Sequence, residues 1–297
     1  MSEKLMVTGA AGKLGRSVVR LLLEEFGIAP ADLVVGTREP SKLADLAARG
    51  VIVKAVDFNK PETLVPAFAG VDRLLIVSTD SIGNRLAGHK AAVAAAKQAG
   101  VKGIVYTSAP NPHGDNHPLF FAGEHAGTET AIFDSGLAYR ILRNHWYYEN
   151  LFMSLPAILK QGGTWYTSET PGTLVTSVAH EDCARAAAAA LTRPWSGDKT
   201  IFDITSDEAL TKEEVASLAS NILGTPINVV RLSPDALTSG MKAAGVPDFV
   251  IQLTLSMDAT NSAGLLSKTS KAVEELTGRK PRTFASFFEA NKVALTA

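Results

Sequence analysis

Cysteine is almost missing from this chain. Cys183 stands alone among 297 residues, which excludes an intrachain disulfide and a cysteine-built metal site and fits a reducing, cytoplasmic setting. Neither sign of charge is in excess: 29 basic against 30 acidic residues give a net charge of −1, with no basic stripe of the kind a nucleic-acid surface needs. No apolar run approaches the roughly 18 residues of a membrane span. The N-terminus leads within a few residues into an apolar strand, so neither a membrane association nor a removed leader is expected. Internal repeats and long linkers are lacking too, and a chain of this length is expected to form one large unit or one with a smaller annex.

What is present is a phosphate loop. Thr8-Gly9-Ala10-Ala11-Gly12-Lys13-Leu14-Gly15 follows the apolar run Leu5-Met6-Val7 and opens a segment with Leu14, Val18, Val19, Leu22 and Leu23 at helical spacing. Gly9 permits a sharp turn out of the strand, Gly12 lets backbone amides approach a diphosphate, and Gly15 lets helix and strand pack closely. The uncapped amides and the positive end of the helix dipole then face the phosphates. A dinucleotide is the expected ligand. At the end of the next apolar run, Arg38 stands where an NAD site would carry an acid, and Lys42 follows one turn on; both suit a 2'-phosphate, so NADP(H) is expected over NAD(H). Glu39, directly after Arg38, tempers that preference.

Short apolar runs at 4–8, 32–37, 51–55, 73–78, 102–107 and 138–142 alternate with helical segments at 13–26, 40–49, 61–68, 85–99 and 123–135. Gly50, Gly100 and Gly136 stand where those helices should stop. The pattern predicts an α/β fold: a Rossmann-like, doubly wound parallel sheet over residues 1–150. Residues 151–297 are expected to form a smaller, mainly helical part that shapes a substrate cleft, with some segments returning to the sheet. Helices are expected at 181–192, rich in alanine; at 211–223, where Thr211 and Glu214 spell a capping box; at 234–244 and 247–257, as a cover over the cofactor; and at 280–292.

With these residues in view, the chain resembles the NmrA-like group of the atypical short-chain dehydrogenase/reductases, and within it the members that reduce quinones and dyes. The resemblance spans the chain. It rests on the glycine run, on Gly36-Thr37-Arg38-Glu39-Pro40-Ser41-Lys42, on Asp57-Phe58-Asn59, on the selective segment Leu142-Arg143-Asn144-His145-Trp146-Tyr147-Tyr148-Glu149-Asn150, and on Thr277-Gly278-Arg279-Lys280-Pro281-Arg282-Thr283. It implies NADPH-dependent hydride transfer to a quinone-like small molecule. An NADP-binding redox sensor without turnover is the alternative, and a homodimer is compatible with either. Carried over position by position, Asp57 and Phe58 match the adenine side of the cofactor site, and Ser78-Thr79 the end of the fourth strand beside the nicotinamide ribose.

Conventional members of the wider superfamily protonate a carbonyl oxygen with a tyrosine helped by a lysine one helical turn later. Here Phe121 and His125 stand in their place. General acid catalysis typically contributes about 10² to 10⁴ in rate, and its loss weighs far more on a ketone, which becomes a basic alkoxide, than on a quinone, which becomes a stabilised phenolate. The expectation is therefore a quinone-like acceptor. Asn144 and Tyr147 are the candidates for orienting its oxygen, His125 is a candidate proton source, and Phe121, Trp146 and His113 are candidate substrate contacts. His113 and His117 are four apart, but Pro112 and Gly114 argue against a helical metal site. His89 is expected on an exposed helix face, His145 in the interior, and no Gly-x-Ser-x-Gly elbow is present.

Overall fold

The computed structural model describes residues 3–297. Its first half alternates strand and helix: β1 (Leu5–Val7), α1 (Lys13–Glu24), β2 (Leu33–Thr37), α2 (Ala44–Ala48), β3 (Ile52–Ala55), α3 (Leu64–Phe68), β4 (Arg73–Ile76), α4 (Arg85–Gln98), β5 (Gly103–Ser108), α5 (Ala122–Ser135) and β6 (Ala138–Asn144). Helices cover both faces of the sheet, so β1, β2, β4 and β5 are buried at every position and show no alternation of apolar and polar residues, though Arg73 opens β4 and Thr107 and Ser108 close β5. Beyond them lie β7 (Trp146–Tyr147), α6 (Leu155–Lys160), β8 (Thr164–Thr167), β9 (Val175–Val178), α7 (His180–Thr192), β10 (Lys199–Ile204) and β11 (Ala209–Leu210). The chain finishes with α8 (Lys212–Leu223), β12 (Asn228–Arg231), α9 (Pro234–Ala243), α10 (Asp248–Ser262), α11 (Ala272–Thr277) and α12 (Phe284–Thr296).

Seven parallel strands form the main sheet in the order β10-β6-β5-β4-β1-β2-β3, the doubly wound arrangement expected. Strand order reverses at β1, with β2 on one side and β4 on the other. The crevice outside their carboxyl ends is where such sheets take ligands. The outermost strand, β10, pairs with β6 from Lys199 opposite Tyr139 to Ile204 opposite Asn144. Its sequence hides it: on an edge only one face is covered, and Ile201 is left exposed. Two small sheets, β11-β9-β7 and β12-β8, have no counterpart in the loosened sequence pattern beyond residue 150.

The alanine-rich α7 packs on α1 beneath the sheet, with Ala186 through Ala190 fully buried. Small side chains allow that close approach. Its terminal carbonyls receive buried cations, Arg140 Nη1 donating to Ala190 O at 2.8 Å and Arg73 Nη1 to Leu191 O at 3.1 Å, which suits the negative end of a helix dipole. α8 starts with the expected capping box, Thr211 Oγ1 accepting from Glu214 N at 3.2 Å while Glu214 Oε2 accepts from Thr211 N at 2.7 Å. The last helix begins later than position 280, at Phe284, because Thr283 caps it with Ser286. α10 runs past 257 to Ser262, since the hydroxyls of Thr260 and Ser262 bond back to carbonyls one turn earlier and let a polar stretch stay helical.

Candidate active site

A cavity of about 470 Å³ opens at the carboxyl ends of β1, β2 and β4. The glycine loop forms one wall through Gly9, Ala11, Gly12, Lys13, Leu14 and Gly15, while Ala10 turns inward and is fully buried. Gly9 sits at φ +62°, and a Cβ on Gly15 would press on Gly9 O, 2.8 Å from the carbonyl carbon and 2.9 Å from Ala10 Cα. α1 starts from Gly12 with no side-chain cap and no acid in its first turn, so the amides of Lys13, Leu14 and Gly15 stay free for an anion. A pyrophosphate fits this cradle, which exists only because side chains are missing there.

Arg38, Asp57, Phe58, Ser78 and Thr79 line the same cavity. Arg38 is exposed and makes no hydrogen bond or ion pair among the described residues. Lys42 differs. It lies outside the cavity lining with its Nζ 2.8 Å from Glu39 Oε1, so recognition of a 2'-phosphate falls first to Arg38.

Behind Thr79 stands a buried polar chain. Thr79 N donates to His89 Nε2 at 3.2 Å, which puts the His89 proton on Nδ1, 3.1 Å from Thr128 Oγ1, and Thr128 in turn donates to Glu124 O at 2.7 Å. His89 is thus fully buried, not exposed as its sequence context implies. The reason is that the inner face of α4 is made of small residues and lets neighbours come close: Gly88 packs on Phe58, and α5 closes in through Gly127 against Leu86, while Lys90, Lys97 and Gln98 face outward.

On the acceptor side, Phe121 and Trp146 pack in one apolar cluster with Leu119, Val175, Leu253 and Met257, so α10 closes over the wall they form. Asn144 and Tyr147 are also brought together, Asn144 Nδ2 donating to Tyr147 Oη at 3.1 Å, while the buried Asn144 Oδ1 has no partner. Neither lines the nucleotide cavity. His113 does not join the Phe121–Trp146 wall: its Nε2 is 2.8 Å from Glu129 Oε2. Glu129, unmarked in the sequence, is fully buried and also accepts from Ser108 Oγ at 2.6 Å and from both Nε and Nη2 of Arg143. Arg85, equally unmarked, lines the nucleotide cavity from the first turn of α4.

No hydroxyl here resembles an activated tyrosine acid. Burial pushes Tyr106, Tyr147 and Tyr148 above the usual phenol range, and Tyr148 is locked against Phe284 at 4.0 Å between ring centroids. His125 Nδ1 is 2.9 Å from Tyr106 Oη, and burial holds this imidazole well below its ordinary pKa, neutral at physiological pH.

Burial also lowers His89 and His145 to about 4. The unfolded chain binds protons on these rings between pH 6.5 and 4 while the folded chain does not, so stability falls as pH drops through that window. On 1.36 kcal/mol per pH unit the loss is on the order of 3 kcal/mol for each ring. Urea midpoints measured from pH 7 to 4.5 should fall steeply; a flat profile would contradict the neutral, buried assignment.

Comparison with known proteins fits this geometry. The chain matches the model of the NmrA-like family over residues 1–288. It is 33% identical to quinone oxidoreductase 2 of Escherichia coli K12 over 95% of this chain and 96% of that protein. The E. coli NADPH-dependent quinone oxidoreductase solved with NADPH superposes at a TM-score of 0.88 and 32% identity, covering 96% of this chain and 99% of that one. The NAD(P)H azoreductase of Xenophilus azovorans is 29% identical over 99% of both chains. The Citrobacter sp. triphenylmethane reductase solved with NADP(H) gives a TM-score of 0.86 at 29% identity over 97% of this chain and 99% of the other. A glycine cradle, an unpaired Arg38 and agreement along nearly the whole length lead to one assignment: the chain is a member of the NmrA-like family.

Proposed function

We propose that the chain is an NADPH-dependent reductase that passes hydride to quinones or quinone-like dyes. Residues 1–150 bind the nucleotide and carry Phe121, Asn144, Trp146 and Tyr147 to the acceptor cleft, which 151–297 complete through Val175, Leu253 and Met257. The observation that carries the reading is the pairing of an anion cradle bearing an unpaired Arg38 with an apolar wall, Phe121 and Trp146, that has no activated acid beside it. Bound in the cradle, the reduced nicotinamide supplies the hydride. The protein's part is then to hold a flat acceptor, exclude water and orient its oxygen, for which Asn144 and Tyr147 are the candidates. His125, neutral and bonded to Tyr106, serves as a hydrogen-bonding group and not as a charged acid. The enzymatic reading prevails over a sensor without turnover because two relatives matched over nearly the whole chain, quinone oxidoreductase 2 and the azoreductase, are oxidoreductases. A cytoplasmic location belongs to the same reading, supported by a single cysteine, Cys183, that is buried and free. No helix among the described residues is long and apolar enough to cross a membrane.

Purified chain should consume NADPH when given a benzoquinone or a cationic triarylmethyl dye, and more slowly with NADH. No acceptor-dependent loss of nicotinamide absorbance with either compound would overturn the proposal. Asn144→Ala should lower kcat/KM for the quinone about 10-fold, the worth of one hydrogen bond. Tyr147→Phe should change KM more than kcat, since a hydroquinone anion needs no proton from the enzyme. A kcat collapse in Tyr147→Phe would instead make that phenol the acid.

A further inference from the structure

Arg85 occupies an unfavourable place for its charge. It is the first residue of α4, where the helix dipole is positive, and it is 6% exposed. Its Nη1 donates to Thr79 O at 3.0 Å, yet its buried Nε and Nη2 have no hydrogen-bond partner. Glu124 Oε2 forms an ion pair with Nε at 3.2 Å but no hydrogen bond to it, and the carboxylate also accepts from the backbone N–H groups of Gly83 and Arg85, each 3.1 Å away. Donors left unmet on a buried cation are costly even beside one carboxylate, unless something else takes them up. Arg85 borders the nucleotide cavity through its position in the lining, and its guanidinium stands 5.4 Å over the ring of Phe121, the residue that replaces the conventional tyrosine. The cavity and the apolar acceptor wall therefore meet at this side chain.

The geometry points to Arg85 as the cation that takes up the charge developing on the hydride acceptor. This rests on the reductase reading above. A hydride carries its electron pair, so a neutral quinone leaves the reaction as a hydroquinone monoanion and takes a proton from solvent. A cationic triarylmethyl dye receives the same hydride at carbon, becomes a neutral leuco dye and needs no proton. A fixed cation attracts the anion developing on the quinone but repels the dye, which is cationic before transfer and still partly so during it. The cation therefore raises kcat/KM for the quinone and not for the dye.

The test compares the two acceptors in wild type, Arg85→Gln and Arg85→Lys. Removing a charge-stabilising donor typically costs about 10² to 10³ in rate, so Arg85→Gln should lower the ratio of quinone kcat/KM to dye kcat/KM about 100-fold, and Arg85→Lys should recover most of it. If Arg85→Gln does not fold, Arg85→Met with Glu124→Gln removes both buried charges and reads the same ratio. A ratio unchanged in the variants, with both activities falling together, assigns Arg85 a structural role and overturns the inference. Wild type reducing neither acceptor would instead bring down the reductase reading beneath it.

Discussion

A single methyl group at Gly15 is expected to weaken NADPH binding severely. Gly15→Ala would drive its Cβ into Gly9 O and to within 2.9 Å of Ala10 Cα, and both neighbours are backbone that cannot swing aside. Relief requires the loop to open, which moves the amides of Lys13, Leu14 and Gly15 off the pyrophosphate position. Overpacking of this kind costs about 1–3 kcal/mol in stability, and the lost cradle should weaken NADPH by at least about 100-fold, three charge-assisted hydrogen bonds being at stake. Gly240→Ala is the control. Gly240 lies inside α9 with nothing within 4 Å of the place its methyl would take, so alanine there should stabilise by up to about 1 kcal/mol and leave affinity intact. Calorimetric titration and a thermal melt of both variants check the pair, and equal affinities would refute the cradle.

The second large effect concerns cofactor choice. Arg38 lines the cavity and makes no hydrogen bond or ion pair among the described residues, whereas Lys42 is held by Glu39. Arg38→Glu should therefore weaken NADPH by about 100-fold or more, since a hydrogen bond to a charged group is worth about 1.5–3 kcal/mol and reversal adds repulsion. NADH, lacking the 2'-phosphate, should change by less than about 3-fold, the size of a surface charge effect. Comparable losses for both cofactors would mean that Arg38 supports the loop and does not read the phosphate.

Where the chain obeys one local rule at a time, its sequence is transparent. The strands of the first half are built around short apolar runs, α5 stops at Gly136, and Thr211 with Glu214 announces α8. β10 is harder to see because an edge strand needs only one apolar face, and its partner β6 lies far back in the chain. His89 misleads because α4 has few large side chains, so nothing in its spacing marks an inner face. Glu129 and Arg85 are hidden for another reason: a charged residue in a helix reads as solvated, and only the fold brings Arg143, His113 and Ser108 to the one, or an unmatched cavity to the other. A cation at a helix start is nevertheless a signal, because it opposes the dipole.

Direct passage of hydride from the bound nicotinamide to the acceptor is the step on which all of this chemistry depends, and deuterium reports on it. A quinone is unsuitable as the trap, because hydrogen delivered to its oxygen exchanges with water; a cationic triarylmethyl dye keeps it on carbon. With NADPH deuterated at the nicotinamide C4 position, mass spectrometry of the leuco dye should find one deuterium at the central carbon. Leuco dye carrying only solvent hydrogen, or no leuco dye at all, would contradict it.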